Sequence, residues 1–181
     1  MIQAHDGARP EIDASAFVHP TAVIIGRVRL GADVSIWPNT TLRGDEGAIT
    51  IGEGTNIQDG TTLHMTGGLS ETVVGRRVTV GHNCILHGCI IEDDVLIGMG
   101  SIVMDNARVG AGSYVGAGTL ITAGKVIPPG SLAFGNPMRV VRPVNERERE
   151  WIAHAWSHYI ENARKYQGVP VDPGASGTMT P

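Results

Sequence analysis

Aromatic side chains are scarce in this chain: two Phe, three Trp and three Tyr among 181 residues. A core has to be built from Val, Ile and Leu instead, and 25 glycines with a 41% hydrophobic content fit a thin core of that kind. Cysteine is nearly absent as well. Cys84 and Cys89 are too few and too close in sequence to form a disulfide framework, and Cys84 is expected to act as a small buried hydrophobe. Basic residues do not predominate: 14 Lys and Arg against 18 Asp and Glu give a formal charge of −4, which offers no basic face to a nucleic acid. No stretch approaches the roughly 18 consecutive apolar residues of a membrane-spanning helix. No signal-peptide pattern is visible either, so the expectation is a cytoplasmic protein with no membrane partner.

What the chain does have is a beat of six. A branched aliphatic residue recurs at Val18, Ile24, Leu30, Ile36 and Leu42, then at Ile51, Ile57 and Leu63, then at Val74, Val80 and Leu86. It continues through Ile91, Ile97, Val103, Val109, Val115, Ile121 and Ile127 to a weaker Ala133. Gly commonly follows it, as at Gly31, Gly52, Gly75, Gly81 and Gly98, and is expected to relieve crowding where the backbone turns. Four residues after the aliphatic comes a small or β-branched residue such as Thr40, Thr61, Cys84 or Ser101. Six is no multiple of 3.6, which excludes an amphipathic helix, and hairpins would alternate by two without a fixed glycine. The pattern predicts an all-β solenoid, a parallel β-helix with three hexads to a coil and about six coils in all.

The repeat ends near Pro137. Asn145 and Glu148 then spell a capping box. Ile152, Ala155, Trp156, Tyr159, Ile160 and Ala163 recur at helical spacing, predicting a helix over 146–166 that covers the flank of the solenoid. The chain therefore divides into a β-helix (1–143), a C-terminal amphipathic helix (144–167) and a patternless tail (168–181) expected to be mobile.

Numbering the hexads by face places His64 and His87 in equivalent slots one coil apart, each just after a third-face aliphatic, although 23 residues separate them in sequence. Arg43 holds the same slot one coil earlier. Two outward imidazoles about 5 Å apart at the root suit a shared metal ion. His82 lies on the second face, poorly aimed at its own column. Around a threefold axis, the His82 of a neighbouring copy would complete the site and leave a position open for water. A single outward histidine on such a scaffold is ordinarily a solvated residue; two in register with a third nearby favour the metal. Asp45 and Gln58 lie beside the column, and Arg43 with Asp45 forms either a register-fixing pair across an interface or an exposed ion pair of little energetic consequence.

Arg43-Gly44-Asp45, Asn56-Ile57-Gln58-Asp59, His64, Gly81-His82, Leu86-His87-Gly88-Cys89 and Ile97-Gly98-Met99-Gly100 together resemble the gamma-class carbonic anhydrase family, in order and spacing, over nearly the whole chain. The resemblance implies a left-handed β-helix assembled as a homotrimer with interfacial metal sites. His64 and His87 would be ligands from one subunit and His82 from the next, holding zinc, ferrous iron or cobalt. The implied reaction is reversible hydration of CO₂ to bicarbonate by a metal-bound hydroxide. Gln58 would orient that hydroxide, Arg43 and Asp45 would hold the interface and the surroundings of the metal, and Asp59 and Tyr159 match positions near the pocket. The best-characterised members carry an acidic loop with a proton-shuttling glutamate after the first ligand. This chain has only Met65-Thr66-Gly67-Gly68-Leu69-Ser70-Glu71 there, and Glu46 matches a second family glutamate that would partly replace the shuttle. Other readings of the scaffold are a CoA-dependent acyltransferase or thioesterase using one histidine as base, and a non-catalytic trimeric structural subunit.

Overall fold

The computed structural model describes residues 1–168, in which the hexads wind into a left-handed parallel β-helix of about seven turns followed by one α-helix. The additional turn comes from before Val18. Ile2–Gln3 and Glu11–Ile12 pair in parallel with the strand Val23–Leu30, setting Ile2 opposite Ile24 and Ile12 opposite Leu30. Their ten-residue separation, interrupted by a small bridge between His5 and Ala8, hides them from a six-residue count.

The inward positions are those the period names. Ile57, Leu63, Val80, Leu86 and Ile97 are fully buried, and so are Thr61, Cys84 and Ser101 four positions on. Buried hydroxyls bond to carbonyls of the following coil, Thr55 Oγ1 to Gly75 O at 2.8 Å and Thr61 Oγ1 to Gly81 O at 2.9 Å. Among the described residues no buried side-chain nitrogen or oxygen lacks a partner. Slipping a strand by one residue would turn the whole aliphatic row outward, so the core itself fixes which side chains face solvent.

The glycines divide their work differently from the expectation. The left-handed turn residue stands three after the aliphatic, as at Gly60 (φ 70°) and Asn83 (φ 55°). The glycine directly after the aliphatic is needed for close approach: a Cβ on Gly52 would lie 2.6 Å from the carbonyl carbon of Gly75 in the next coil.

Two irregular steps shape the site. Across the nine-residue step the chain does not loop out but continues as one strand, Thr41–Ile51, which joins two faces into a twelve-stranded sheet; the third face is an eight-stranded sheet. The eleven-residue step holds a short loop between the strands Thr62–His64 and Thr72–Val74. The helix Glu146–Tyr166 starts at the expected capping box, with Asn145 Oδ1 accepting from Glu148 N–H at 2.9 Å and Glu148 Oε2 accepting from Asn145 N–H at 2.8 Å. It packs on the strands Ser35–Ile36, Asn56–Ile57 and Thr79–Val80 through a stripe that includes the buried Ile152 and Ala163. Among the described residues no helix is long and apolar enough to cross a membrane. Apart from Gly168, the tail expected to be mobile lies outside the described residues.

Candidate metal centre

Strand pairing builds the column. Leu42 pairs with Leu63 and His64 with His87, so Arg43, His64 and His87 stand on three successive coils and project from one face. The two imidazole rings lie 5.2 Å apart with a 60° interplanar angle, and His64 Nδ1 is 3.3 Å from His87 Nε2. Each ring's other nitrogen is committed to a carboxylate: His64 Nε2 to Asp45 Oδ1 at 3.1 Å, and His87 Nδ1 to Asp105 Oδ2 at 3.0 Å.

Burial alone would raise the Asp45 carboxyl, but hydrogen bonds from Arg43 and His64 outweigh it and hold the group down at about 2. Asp105 is likewise lowered, with burial opposed by hydrogen bonds from Ser70 and His87. Both groups are therefore ionised near neutrality and can only accept hydrogen bonds. The imidazoles must donate their outer N–H groups, which leaves lone pairs on the two nitrogens that face each other. A proton shared between them or a cation relieves that opposition.

The spacing suits a cation. Two bonds of about 2.0–2.1 Å at the tetrahedral angle put ligand nitrogens about 3.3–3.4 Å apart, and the observed separation is 3.3 Å. The donor chemistry, neutral imidazole backed by carboxylate, is that of histidine ligands to zinc and similar ions. Among the described residues of one chain, no three His, Cys, Asp or Glu side chains converge to hold an ion. His82 stands apart from the pair, its Nδ1 on Asp59 Oδ2 at 3.0 Å and its side chain 40% exposed. This geometry frees Nε2 to point at something outside its own column.

The remaining expected residues are distributed around the pair. Arg43 Nη1 bonds Asp45 Oδ2 at 2.6 Å, inside one chain. Gln58 is buried and donates its amide to Asn56 Oδ1 at 3.1 Å, while Asn56 donates to Thr79 Oγ1 at 2.9 Å. Glu46 is exposed, with Oε2 accepting from Gly67 N–H at 3.0 Å. Tyr159 packs edge-on against Trp37 at 5.2 Å, within a cluster that also holds Phe17. Burial first, and then the charge of Asp59, push the Tyr159 phenol upward. Cys84 and Cys89 are free thiols, pushed up to about 11 and about 12 by burial and so chemically quiet.

Two residues at the centre were not anticipated. Asp105 lies two after Val103, which pairs with Leu86, so extending the column argument one coil beyond His87 leads to it. Ser70, whose Oγ–H donates to Asp105 Oδ1 at 2.5 Å, sits in the loop that interrupts the period, where no register applies.

Fold and geometry define a hexapeptide-repeat β-helix protein with a carboxylate-supported histidine pair on one face. The family model described as "Bacterial transferase hexapeptide (six repeats)" matches residues 88–123. The chain is 44% identical to a carbonic anhydrase of Geobacillus kaustophilus, covering 93% of this chain and 92% of the relative. It is 43% identical to the carnitine operon protein CaiE of Escherichia coli, over 82% of this chain and 75% of that one. It is 36% identical to the mitochondrial gamma carbonic anhydrase 2 of Arabidopsis thaliana, over 90% of this chain, and spans 63% of that relative's length. A solved hexapeptide transferase family protein from Anaplasma phagocytophilum superposes with a TM-score of 0.88 at 42% identity, covering 91% of this chain and 97% of that chain. The chain belongs to the gamma-class carbonic anhydrase family of hexapeptide-repeat proteins.

Proposed function

We propose that the protein is a metal-dependent enzyme that hydrates CO₂ reversibly, its site completed between subunits of a homotrimer. The observation that carries this reading is the pair of facing imidazole nitrogens 3.3 Å apart, each ring anchored from behind by an ionised aspartate. His64 and His87 of one copy and His82 of the next would hold zinc, or ferrous iron or cobalt, since imidazole suits all three. When bound, such an ion supplies Lewis acidity that brings the pKa of water from about 15.7 towards 7.

The chain's own residues do the rest. Asp45 and Asp59 fix the tautomers of His64 and His82, so that each presents a lone pair outward. The amide nitrogen of Gln58 is held by Asn56, which leaves its Oε1 to accept a hydrogen bond from the attacking water and align it. Glu46, exposed at the rim, carries the released proton to solvent in place of a longer acidic loop. Arg43 keeps Asp45 ionised and pointed at His64.

The test is stopped-flow CO₂ hydration on protein purified without oxygen, with metal measured on the same sample and His87→Ala as the control. Expected is about one ion per chain and hydration that the variant loses. Full metal content without hydration would overturn the anhydrase reading. The transferase description of the matching family model favours a second reading, acyl transfer or thioester hydrolysis on this scaffold. Calorimetric binding of CoA, retained in the metal-free protein, would favour that chemistry.

A further inference from the structure

We infer that Asp105 is the positioning residue for His87, and that Ser70 locks it in place from the short loop. The inference rests on the proposal that His64 and His87 hold a metal, and concerns what sets their aim.

A backbone ladder places the two histidines one coil apart but leaves each ring free to rotate about its side-chain bonds. For His64 that freedom is removed by Asp45, two residues from Arg43 in the same strand. For His87 the equivalent support comes from the opposite side. Asp105, one coil further along the solenoid, accepts from His87 Nδ1–H with Oδ2 at 3.0 Å and from Ser70 Oγ–H with Oδ1 at 2.5 Å. Both carboxylate oxygens are thereby occupied, and the group cannot swing without breaking one bond or the other. Ser70 is itself held, its Oγ accepting from Thr66 N–H at 3.3 Å across the loop. The loop is clipped to the pair at its other end too: Thr72 Oγ1 donates to His64 O and accepts from Gly88 N–H, the latter at 2.9 Å. Two hydrogen-bonded chains, Arg43–Asp45–His64 and Ser70–Asp105–His87, thus meet at the facing imidazole nitrogens.

The consequence is a single tautomer for His87, with Nδ1 protonated and Nε2 presented to the ion. Aspartate is acceptor-only and enforces this. Asparagine in its place is nearly the same size but offers either an acceptor or a donor, so both tautomers become available. Loss of such an outer-shell carboxylate typically weakens metal binding by about 10–100-fold.

The experiment measures the affinity of the full chain for Zn²⁺ by competition with a chromophoric chelator from pH 6 to 8, alongside the visible spectrum of the Co²⁺-loaded protein. Asp105→Asn is expected to bind zinc about 10–100-fold more weakly, with an altered pH profile and cobalt spectrum and unchanged thermal stability and oligomeric state. Ser70→Ala, on a loop away from the ion, is expected to weaken binding several-fold, and Ser70→Thr to restore it. If Asp105→Asn binds within twofold of wild type, the assignment is overturned. Should that variant not fold, Ser70→Ala decides alone, and wild-type affinity in it overturns the coupling. Zinc binding by the wild type that His87→Ala leaves untouched would instead overturn the metal assignment beneath it, a separate result because it does not involve Asp105.

Discussion

Gly44 shows how a single residue holds the site. The string Arg43-Gly44-Asp45 needs its glycine because the strand Thr41–Ile51 pairs in parallel with Val23–Leu30 and their register shifts at this point, setting Gly44 opposite Gly26. A Cβ on Gly44 would stand 2.6 Å from Arg27 O and 2.9 Å from its carbonyl carbon, both backbone atoms that cannot step aside. Gly44→Ala is therefore expected to cost about 1–3 kcal/mol by overpacking, read by denaturant unfolding, and to lower zinc content by shifting Arg43 and Asp45. A variant as stable and as metal-rich as wild type would remove the glycine from the argument. At this scale the sequence was legible wherever the hexad register ran. His64, His87 and Arg43 could be stacked on paper because a period of six, once buried, admits one alignment. Ser70 could not, because a loop carries no period, and the rear nitrogens of the imidazoles found their carboxylates through side-chain rotation, which spacing does not encode. Asp105 was within reach of the same register one coil onward.

Among the elements, the C-terminal helix is the most locally determined. Its start is written in Asn145 and Glu148, and both reciprocal hydrogen bonds form. Asn145→Ala is expected to destabilise the protein by about 1 kcal/mol, measured by chemical denaturation. Glu148 adds a pH dependence. Its carboxyl is lowered from 4.5, first by the hydrogen bonds from Arg142, then by the Asn145 N–H, with burial opposing. A depressed folded pKa means the stabilisation is complete above 4.5 and is lost as pH falls below it. Glu148→Gln should therefore trail wild type at pH 7 and converge on it as pH falls through the lowered pKa of the folded carboxyl; a constant gap would contradict the role given to the charge. The β-helix behaves differently. Most of its strands are two or three residues long, too short to hold alone, and exist only because neighbours bury the same slots. The N-terminal turn was hidden for this reason: Ile2 and Ile12 obtain their places from pairing with Ile24 and Leu30, not from spacing of their own.

For the whole molecule, the decisive quantity is how copies associate. The column of one chain supplies two facing imidazoles, and His82 with Asp59 points elsewhere, so the proposed centre exists only in the assembly. Arg43 pairs with Asp45 inside its own chain, and its side chain remains 43% exposed, available to a neighbour. Arg43→Ala is expected to shift the proposed trimer towards monomer in sedimentation velocity and to lower metal content in parallel. An unchanged oligomer would sink the interface role while leaving the intrachain pair intact. Fold class and the repeating core could be inferred from one chain's sequence; contacts between chains leave no period in it, which is why the expectation of a trimer rested on the stray His82 and on resemblance.

The histidine pair sits on a ladder whose rungs are main-chain hydrogen bonds, His64 opposite His87. The distance between the roots of the two rings is thus a property of the polypeptide backbone, the same at every level of the solenoid. Side-chain substitution can decide which rung is occupied, and a supporting carboxylate can decide where a ring faces, but neither can stretch the interval. Such a site is tuned like a fretted string: its pitch changes in whole steps of one coil, never by a fraction.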